Sequence, residues 1–461
     1  MKRTTWIGAL IATTAILGTS VAAVPAVATT PSRSDRFGVY NWDVALNAKP
    51  SNQDALTWAS NLVAGTGTHT IRLFLGTKDV YQIGTPSTAS LSAVASQTPY
   101  ANVFSDSRLT TYVLTTYSNF ARVDGWKDGV SSAEASAERS ETADLARYLL
   151  DTYPTKTFIL SNWEGDNAVN LAGGTSTARQ GFADWSVARI AGINDAKASR
   201  PTQASRLKSA LEYNAVTGCG TTRWCVLTQV APLISADYYS YSSWEAMGTG
   251  TSSPSQLTTD LQASLAAIQT GQPSVTAANI IVGEFGLARD IPQAGECAAA
   301  AITTQVMTAI ENFGASYGIF WQIVDNPVNS TWNGFGLYRF DGSSTLTLPR
   351  FSAFIQNQTV TGVPSSCPNI GGVANAVTNT GIVLAGDVIS LYGSNFSTAG
   401  NKVVFQVNGQ RVVVGAGTTG WYQSPTQINV KVPTGTSGGV VVTVIRADGI
   451  ESNGNYFTLT P

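Results

Sequence analysis

The sequence predicts an α/β fold, a (β/α)8 barrel, followed by a smaller all-β sandwich. Three observations lead there. From Phe37 to about Phe354, short apolar runs alternate with longer segments of helical period, the pattern of parallel strands joined by crossover helices. Eight such alternations fall within roughly 320 residues, which suits a closed barrel of ~250 residues with loop insertions better than an open sheet. Beyond that stretch the helical period disappears, and β-branched runs bounded by Gly, Asn and Pro replace it. A chain of 461 residues has room for one large domain and a small one.

Taken in order, residues 1–28 read as a secretory leader. Lys2 and Arg3 precede an apolar stretch from Trp6 to Leu17, and Ala26-Val27-Ala28 offers a small-residue cleavage site. The apolar run is shorter than the roughly 20 residues that span a bilayer, so cleavage is expected, with no membrane insertion afterwards. The expected location is secreted or extracellular, with the periplasm and the cell surface as variants. Residues 29–358 form the barrel domain. Its strands are expected at Phe37–Asn41, Thr70–Leu75, Thr111–Thr116, Thr157–Ser161, Ser209–Tyr213, Ala236–Ser240, Ile280–Glu284 and Gly318–Gln322. One intervening helix starts at Ser131-Ser132-Ala133-Glu134 and stops before Pro154; others run from Asp184 to Ala198, Ser255 to Gln269 and Glu296 to Phe313. No dinucleotide-binding glycine fingerprint follows the first strand. Residues 359–368, with two prolines and no apolar periodicity, read as a linker. Residues 369–461 carry the sandwich runs, among them 387–393, 402–407, 428–432 and 440–444, with turns at Asn408-Gly409 and Asp448-Gly449.

Composition narrows the partners. Only 12% of residues are charged, against the ~25% usual in soluble proteins, so the surface relies on neutral polar groups. Losing Lys2 and Arg3 with the leader would leave 25 basic against 29 acidic residues, with no basic run. Nucleic acid and anionic membrane are therefore excluded as expected partners. Four cysteines in an exported chain point to disulfides, and four thiols allow three pairings. Cys219 and Cys225 are close enough to close a local loop, which would leave Cys297 with Cys367. Their spacings match no zinc motif, and His69 is the only histidine. No metal and no cofactor are expected, and a Ser-His-Asp mechanism is disfavoured because His69 lies at the start of a strand.

In such a barrel the chemistry sits where strands end at their C-terminal side. Two carboxylates close apolar runs there: Glu164 after strand four, in Ser161-Asn162-Trp163-Glu164-Gly165-Asp166, and Glu284 on strand seven, in Val282-Gly283-Glu284-Phe285-Gly286. Hydrolysis of a glycosidic bond needs one carboxyl to protonate the leaving oxygen and a second to attack the anomeric carbon or to activate water. Strands four and seven can project side chains over one mouth. Asp166 competes with Glu164 as the acid. A lone glutamate at a strand end is as often a solvated or capping residue; the pair at these two positions is what points to chemistry.

On these residues the barrel resembles glycoside hydrolase clan A, whose members carry an acid/base glutamate after strand four and a nucleophilic glutamate after strand seven. The resemblance implies a retaining cleavage of β-linked glycans, with Glu164 as acid/base and Glu284 as nucleophile. Arg72 in Thr70-Ile71-Arg72-Leu73-Phe74 matches the strand-two arginine that helps keep the nucleophile ionised. Trp321 in Gly318-Ile319-Phe320-Trp321-Gln322 matches the tryptophan that floors the sugar site. One departure is visible: the clan usually places Asn directly before its acid/base Glu, whereas here Trp163 intervenes and Asn162 lies two residues back. With a strand period of two, Asn162 and Glu164 would face the same way, so Asn162 is retained as a sugar-binding candidate.

Further candidates for the substrate groove are Trp42 after strand one, Tyr117 after strand three, Tyr239, Tyr241 and Trp244 after strand six, and Trp332 after strand eight. Glu212 and Asn214 close strand five, and one of Tyr239 and Tyr241 is expected to hydrogen-bond the nucleophile. The long inserts 76–108 and 218–235 are expected to shape the groove. The tail has a resemblance of its own: Gly386-Asp387-Val388-Ile389-Ser390-Leu391-Tyr392-Gly393-Ser394-Asn395-Phe396, Pro425-Thr426-Gln427-Ile428, Val432-Pro433 and Ser452-Asn453 before Phe457 resemble an IPT/TIG immunoglobulin-like domain. This implies a spacer or interaction module, with contact to glycan or to a cell surface left open. The expected partner of the whole chain is a polysaccharide or oligosaccharide. The alternative is a non-catalytic carbohydrate-binding or adhesive surface protein on a hydrolase-like barrel.

Overall fold

A computed structural model of the chain describes residues 31–42, 49–121, 124–220, 223–247, 254–289, 295–325, 334–339, 341–359, 366–407 and 410–460. The expected leader, most of the expected linker, Trp332 and the expected turn at Asn408-Gly409 lie outside the described residues.

Eight parallel strands close into a barrel in sequence order: β1 (Phe37–Asn41), β2 (Thr70–Gly76), β3 (Thr111–Tyr117), β4 (Thr157–Ser161), β5 (Leu207–Tyr213), β6 (Tyr238–Ser242), β7 (Ile280–Phe285) and β8 (Tyr317–Phe320). They read as nearly continuous apolar runs because both faces are covered. One face meets the helices, where Phe158, Leu160, Tyr239, Tyr241 and Val282 join the large outer core. The other fills the barrel with a small cluster of Tyr40, Val113, Ile159, Ala210, Ile281 and Ile319.

Local sequence explains the helices. Ser131 and Glu134 form a capping box at the start of helix Ser132–Thr152, which stops before Pro154. Helices Ser176–Ser199, Pro254–Gly271 and Gly295–Phe313 follow β4, β6 and β7 and return the chain to the bottom of the barrel. No helix among the described residues is long and apolar enough to cross a membrane.

The largest difference from the expected strands is at β6, which runs from Tyr238 to Ser242 instead of Ala236 to Ser240. Its register against β7 explains the extension. Tyr239, Ser240 and Tyr241 pair with Ile280, Ile281 and Val282, and a bulge then brings Ser242 opposite Glu284, leaving Gly283 as the extra residue.

The sandwich comprises β9 (Asn369–Asn375), β10 (Val388–Ser394), β11 (Lys402–Val407), β12 (Gln410–Gly415), β13 (Tyr422–Gln423), β14 (Gln427–Lys431), β15 (Gly438–Ile445) and β16 (Asn455–Leu459). Two antiparallel four-stranded sheets, β13-β14-β10-β9 and β12-β11-β15-β16, enclose a core that includes Ile389, Leu391, Phe405, Ile428 and Val442. Disulfides join Cys219 to Cys225 and Cys297 to Cys367. The second ties the start of the helix after β7 to the segment leading into β9. Beside it lies a buried ionic cluster: Glu451 of the sandwich accepts hydrogen bonds from Arg289 (3.0 Å), Arg411 (2.9 Å) and Thr443 (2.6 Å). Arg289 also pairs with Asp325, and Arg339 with Glu296.

Candidate active site

At the C-terminal end of the barrel, alternation along each strand decides which side chains turn inward. On β2, β3, β5 and β6 these are Arg72, Thr115, Glu212 and Ser240, which bond to one another beneath the mouth. Arg72 lays its guanidinium against Glu212, with Nη1 to Oε2 at 2.6 Å and Nη2 to Oε1 at 2.7 Å, and donates to Thr115 and to the Gly283 carbonyl. Its charge also sits 4.4 Å over the Tyr40 ring. The fork expected for Glu284 is thus given to Glu212. Arg72 reaches Glu284 Oε1 only at 3.6 Å.

Above this layer Glu284 and Glu164 meet. Glu284 Oε2 accepts hydrogen bonds from Trp244 Nε1 at 2.9 Å and from Ser242 Oγ at 3.1 Å, while Oε1 accepts none among the described residues. Glu164 follows the end of β4, where its carboxyl turns back over the mouth. Its Oε1 lies 2.5 Å from Ser242 Oγ, its Oε2 accepts from Asn167 Nδ2 at 2.5 Å, and its own N–H donates to Glu212 Oε1 at 3.2 Å. One serine therefore touches both carboxyls.

Electrostatics follow from this crowding. Burial raises Glu164 above the ordinary carboxylate range, opposed by the Ser242 hydrogen bond and assisted by the Glu212 charge. Burial first and the Glu164 charge second push Glu284 well above it, with Arg72 and Trp244 pulling back. Two buried carboxyls so placed disfavour each other's ionisation, and their titrations belong to the pair.

Several expected positions sit otherwise. Asn162 faces sideways: its Nδ2 donates to the Glu212 carbonyl and its Oδ1 accepts from the Glu212 N–H, both at 2.8 Å. The strand ends at Ser161, so the period-two argument that aligned Asn162 with Glu164 no longer applies. Asp166 is consumed by backbone: it accepts from the N–H groups of Asn214 (3.0 Å), Ala215 (3.1 Å) and Val226 (2.8 Å). Asn214 in turn accepts from the Asn167 N–H. Tyr239 and Tyr241 point outward into the helix layer, since Ser240 and Ser242 take the inward positions of β6; the hydroxyl and indole on Glu284 come from Ser242 and Trp244. Tyr117 stacks on Trp185 at 5.6 Å and belongs to that outer layer as well.

Trp321 packs edge-on against Tyr40 at 5.0 Å and against Trp244 at 6.5 Å, and Trp42 against Tyr40 at 5.8 Å and Phe74 at 5.3 Å. The residues the sequence did not single out are Ser242, Asn167 and Gly283. Extending β6 by two residues would have placed Ser242 inward. Among the described residues no group of three or more His, Cys, Asp and Glu side chains is arranged to hold a metal ion.

Comparison with known proteins adds to this geometry. Residues 373–459 match the IPT/TIG domain family. No curated protein matches the chain. Among solved structures, a GH5_18 variant from Streptomyces cattleya in complex with Manb1-4GlcNAc is similar with a TM-score of 0.50 and 14% identity, covering 73% of this chain and 84% of that one. A GH5_18 protein from Bifidobacterium longum subsp. infantis gives 0.48 at 12% identity, covering 72% and 81%. An FMN-binding beta-glucuronidase from Facaelibacterium prausnitzii gives 0.45 at 12% identity; it covers 92% of this chain, which spans only 56% of that longer one. At such identities the likeness is one of fold.

Proposed function

We propose that the chain is an exported glycoside hydrolase that cleaves β-linked glycans with retention, using Glu284 as nucleophile and Glu164 as acid/base. One observation carries the reading. The Ser242 contacts of 2.5 Å and 3.1 Å, laid end to end, keep Glu164 Oε1 and Glu284 Oε2 within about 5.6 Å. That ceiling on the nearest oxygens is compatible with the roughly 5–5.5 Å of a retaining pair and favours it over the roughly 6.5–9.5 Å of a pair that admits a water between substrate and base.

In the first half of the reaction Glu284 Oε1, the oxygen free of hydrogen bonds among the described residues, attacks the anomeric carbon. The glycosidic C–O bond breaks, and the Glu164 proton passes to the leaving oxygen. In the second half water attacks the same carbon, its proton goes to Glu164, and the bond to Glu284 breaks. Trp321, Trp244 and Trp42 offer π faces to the sugar ring. The leader and the two disulfides support an oxidising, extracellular destination, and the sandwich is a module for contact with glycan or a cell surface.

The test is turnover of a panel of β-linked oligosaccharides and polysaccharides, with the product anomer read by proton NMR. Glu164→Gln costs about 10²–10⁴-fold in rate on the responsive substrate, and Glu284→Gln, which removes the nucleophile, costs at least as much. Wild-type rates in both variants would sink the assignment. The non-catalytic reading draws on Asn162, whose amide is locked onto β5; glycan affinity without turnover in the wild type would favour it.

A further inference from the structure

A serine hydroxyl has one hydrogen, and Ser242 contacts two carboxyl oxygens. One hydrogen shared between both oxygens would serve each weakly, whereas a full two-centre bond to each needs a second hydrogen, which only a carboxyl can supply. The remaining donors each serve one member only: Asn167 bonds Glu164, while Trp244 bonds Glu284 and Arg72 faces it. Arg72 is moreover engaged by Glu212 through two bonds. Ser242 is fully buried on β6, held opposite Glu284 by the bulge at Gly283, and the bonds made there by Trp244 and Asn167 fix both carboxyls within its reach.

We propose that Ser242 is a positioning residue whose hydroxyl turns to follow the single negative charge of the Glu164–Glu284 pair through both halves of the reaction. This rests on the two-glutamate reading above. In the state poised for the first half Glu164 carries the proton and donates it in a hydrogen bond to Ser242 Oγ, which donates to the Glu284 anion. After the first half Glu284 is a neutral glycosyl ester and Glu164, having given its proton to the leaving oxygen, is the anion. Rotation of the hydroxyl about its C–O bond then points its hydrogen at Glu164 Oε1. When water returns a proton to Glu164 and frees Glu284, the hydroxyl turns back. No heavy atom moves, and Ser242 gains and loses no proton. The groups that face this pair are Tyr40 from β1, Arg72 from β2, Glu212 from β5, Trp244 beyond β6 and Asn167 from the helix after Glu164.

The test does not depend on turnover. The full chain, labelled with ¹³C at the glutamate carboxyls, is titrated by NMR, with Glu164→Gln and Glu284→Gln assigning the two signals. A donor that serves the monoanion but cannot serve both members of a dianion spreads the two steps of the pair. In Ser242→Ala the steps therefore draw together by about one pH unit or more. Ser242→Thr keeps them apart. Ser242→Val, isosteric with the threonine variant but without a hydroxyl, matches Ser242→Ala, so the contrast survives if the smaller variant folds poorly. An unchanged separation in folded Ser242→Ala or Ser242→Val overturns the proposal, as does a Thr variant that behaves like them. Should the steps draw together while the wild type turns over no β-linked glycan, the proton-sharing arrangement stands and the hydrolase reading fails. Where a substrate is found, the bell-shaped kcat/KM profile of Ser242→Ala narrows at both limbs; a change in rate without change in either limb counts against the role.

Discussion

Gly283 has no side chain, and the site depends on that. A β-carbon built there would lie 2.3 Å from Glu212 Oε2 and 2.3 Å from Ser240 Oγ, atoms held by the buried Arg72 pair. Gly283→Ala must push this ion pair apart, and breaking a buried pair costs roughly 3–5 kcal/mol; the urea midpoint should fall accordingly, with activity falling with it. Glu212→Gln is the gentler probe. It keeps the shape but removes a charge that raises both Glu164 and Glu284. Taking that charge away lets both carboxyls ionise at lower pH, so both limbs of the kcat/KM profile move to more acid values. A profile that stays in place would count against the Glu212 charge acting on the pair. The two glutamates were legible in the sequence because position at a strand end is a property of the run of residues itself. Ser242 and Gly283 were not, because a bulge between two strands distant in sequence sets their facing, and single-chain periodicity carries no sign of it.

The elements show the same division. Strands β1 and β4 have the bounds expected from their apolar runs, and the capped helix after Ser131 starts where its capping box puts it. β6 alternates tyrosine with serine, so hydropathy places its start two residues early and leaves one of Tyr239 and Tyr241 expected on the nucleophile, whereas both rings belong to the outer core. The loop after β4 was harder still. There Asp166 looks like a spare acid in sequence, yet it gathers three backbone N–H groups from the β5 loop and from the start of the short helix at Val226. That task belongs to folding. Asp166→Ala leaves those donors unpaired and should cost on the order of 3 kcal/mol by denaturant titration, a few times the 1 kcal/mol of a typical hydrogen bond. The limbs of the pH–rate profile should keep their positions. A shift in the basic limb would restore Asp166 as the acid.

At the scale of the whole molecule, the sandwich is fastened to the end of the barrel that holds the site. Arg289 lies five residues beyond Glu284 and Asp325 four beyond Trp321, and Glu451 of the sandwich bonds Arg289, which also pairs with Asp325. Glu296, at the start of the helix after β7, accepts the Glu451 N–H at 2.6 Å, and Arg339 Nη2 donates to its two oxygens. Burial alone would raise Glu451, but Arg411, Arg289 and Arg339 outweigh it and hold the carboxyl far below its ordinary range. A carboxyl so depressed contributes stability that is full above the unfolded value of ~4.3 and lost as the pH falls below it. Glu296 moves the other way, raised chiefly by burial, so the Glu451 contribution has to be isolated by comparing wild type with Glu451→Gln across pH. The stability gap between them should be widest at neutral pH and shrink in acid. Glu451→Ala removes the shared partner of three arginines, at a cost of roughly 3–5 kcal/mol. The fastening also predicts how the molecule melts. With Cys297–Cys367 and the ionic cluster intact, barrel and sandwich should unfold in one calorimetric transition. In Glu451→Ala the sandwich should melt ahead of the barrel, and glycan turnover should fall before the barrel itself unfolds. Two separate transitions in the wild type, or full turnover in Glu451→Ala after its sandwich has melted, would show that the chain segments carrying Glu284 and Trp321 stand without it.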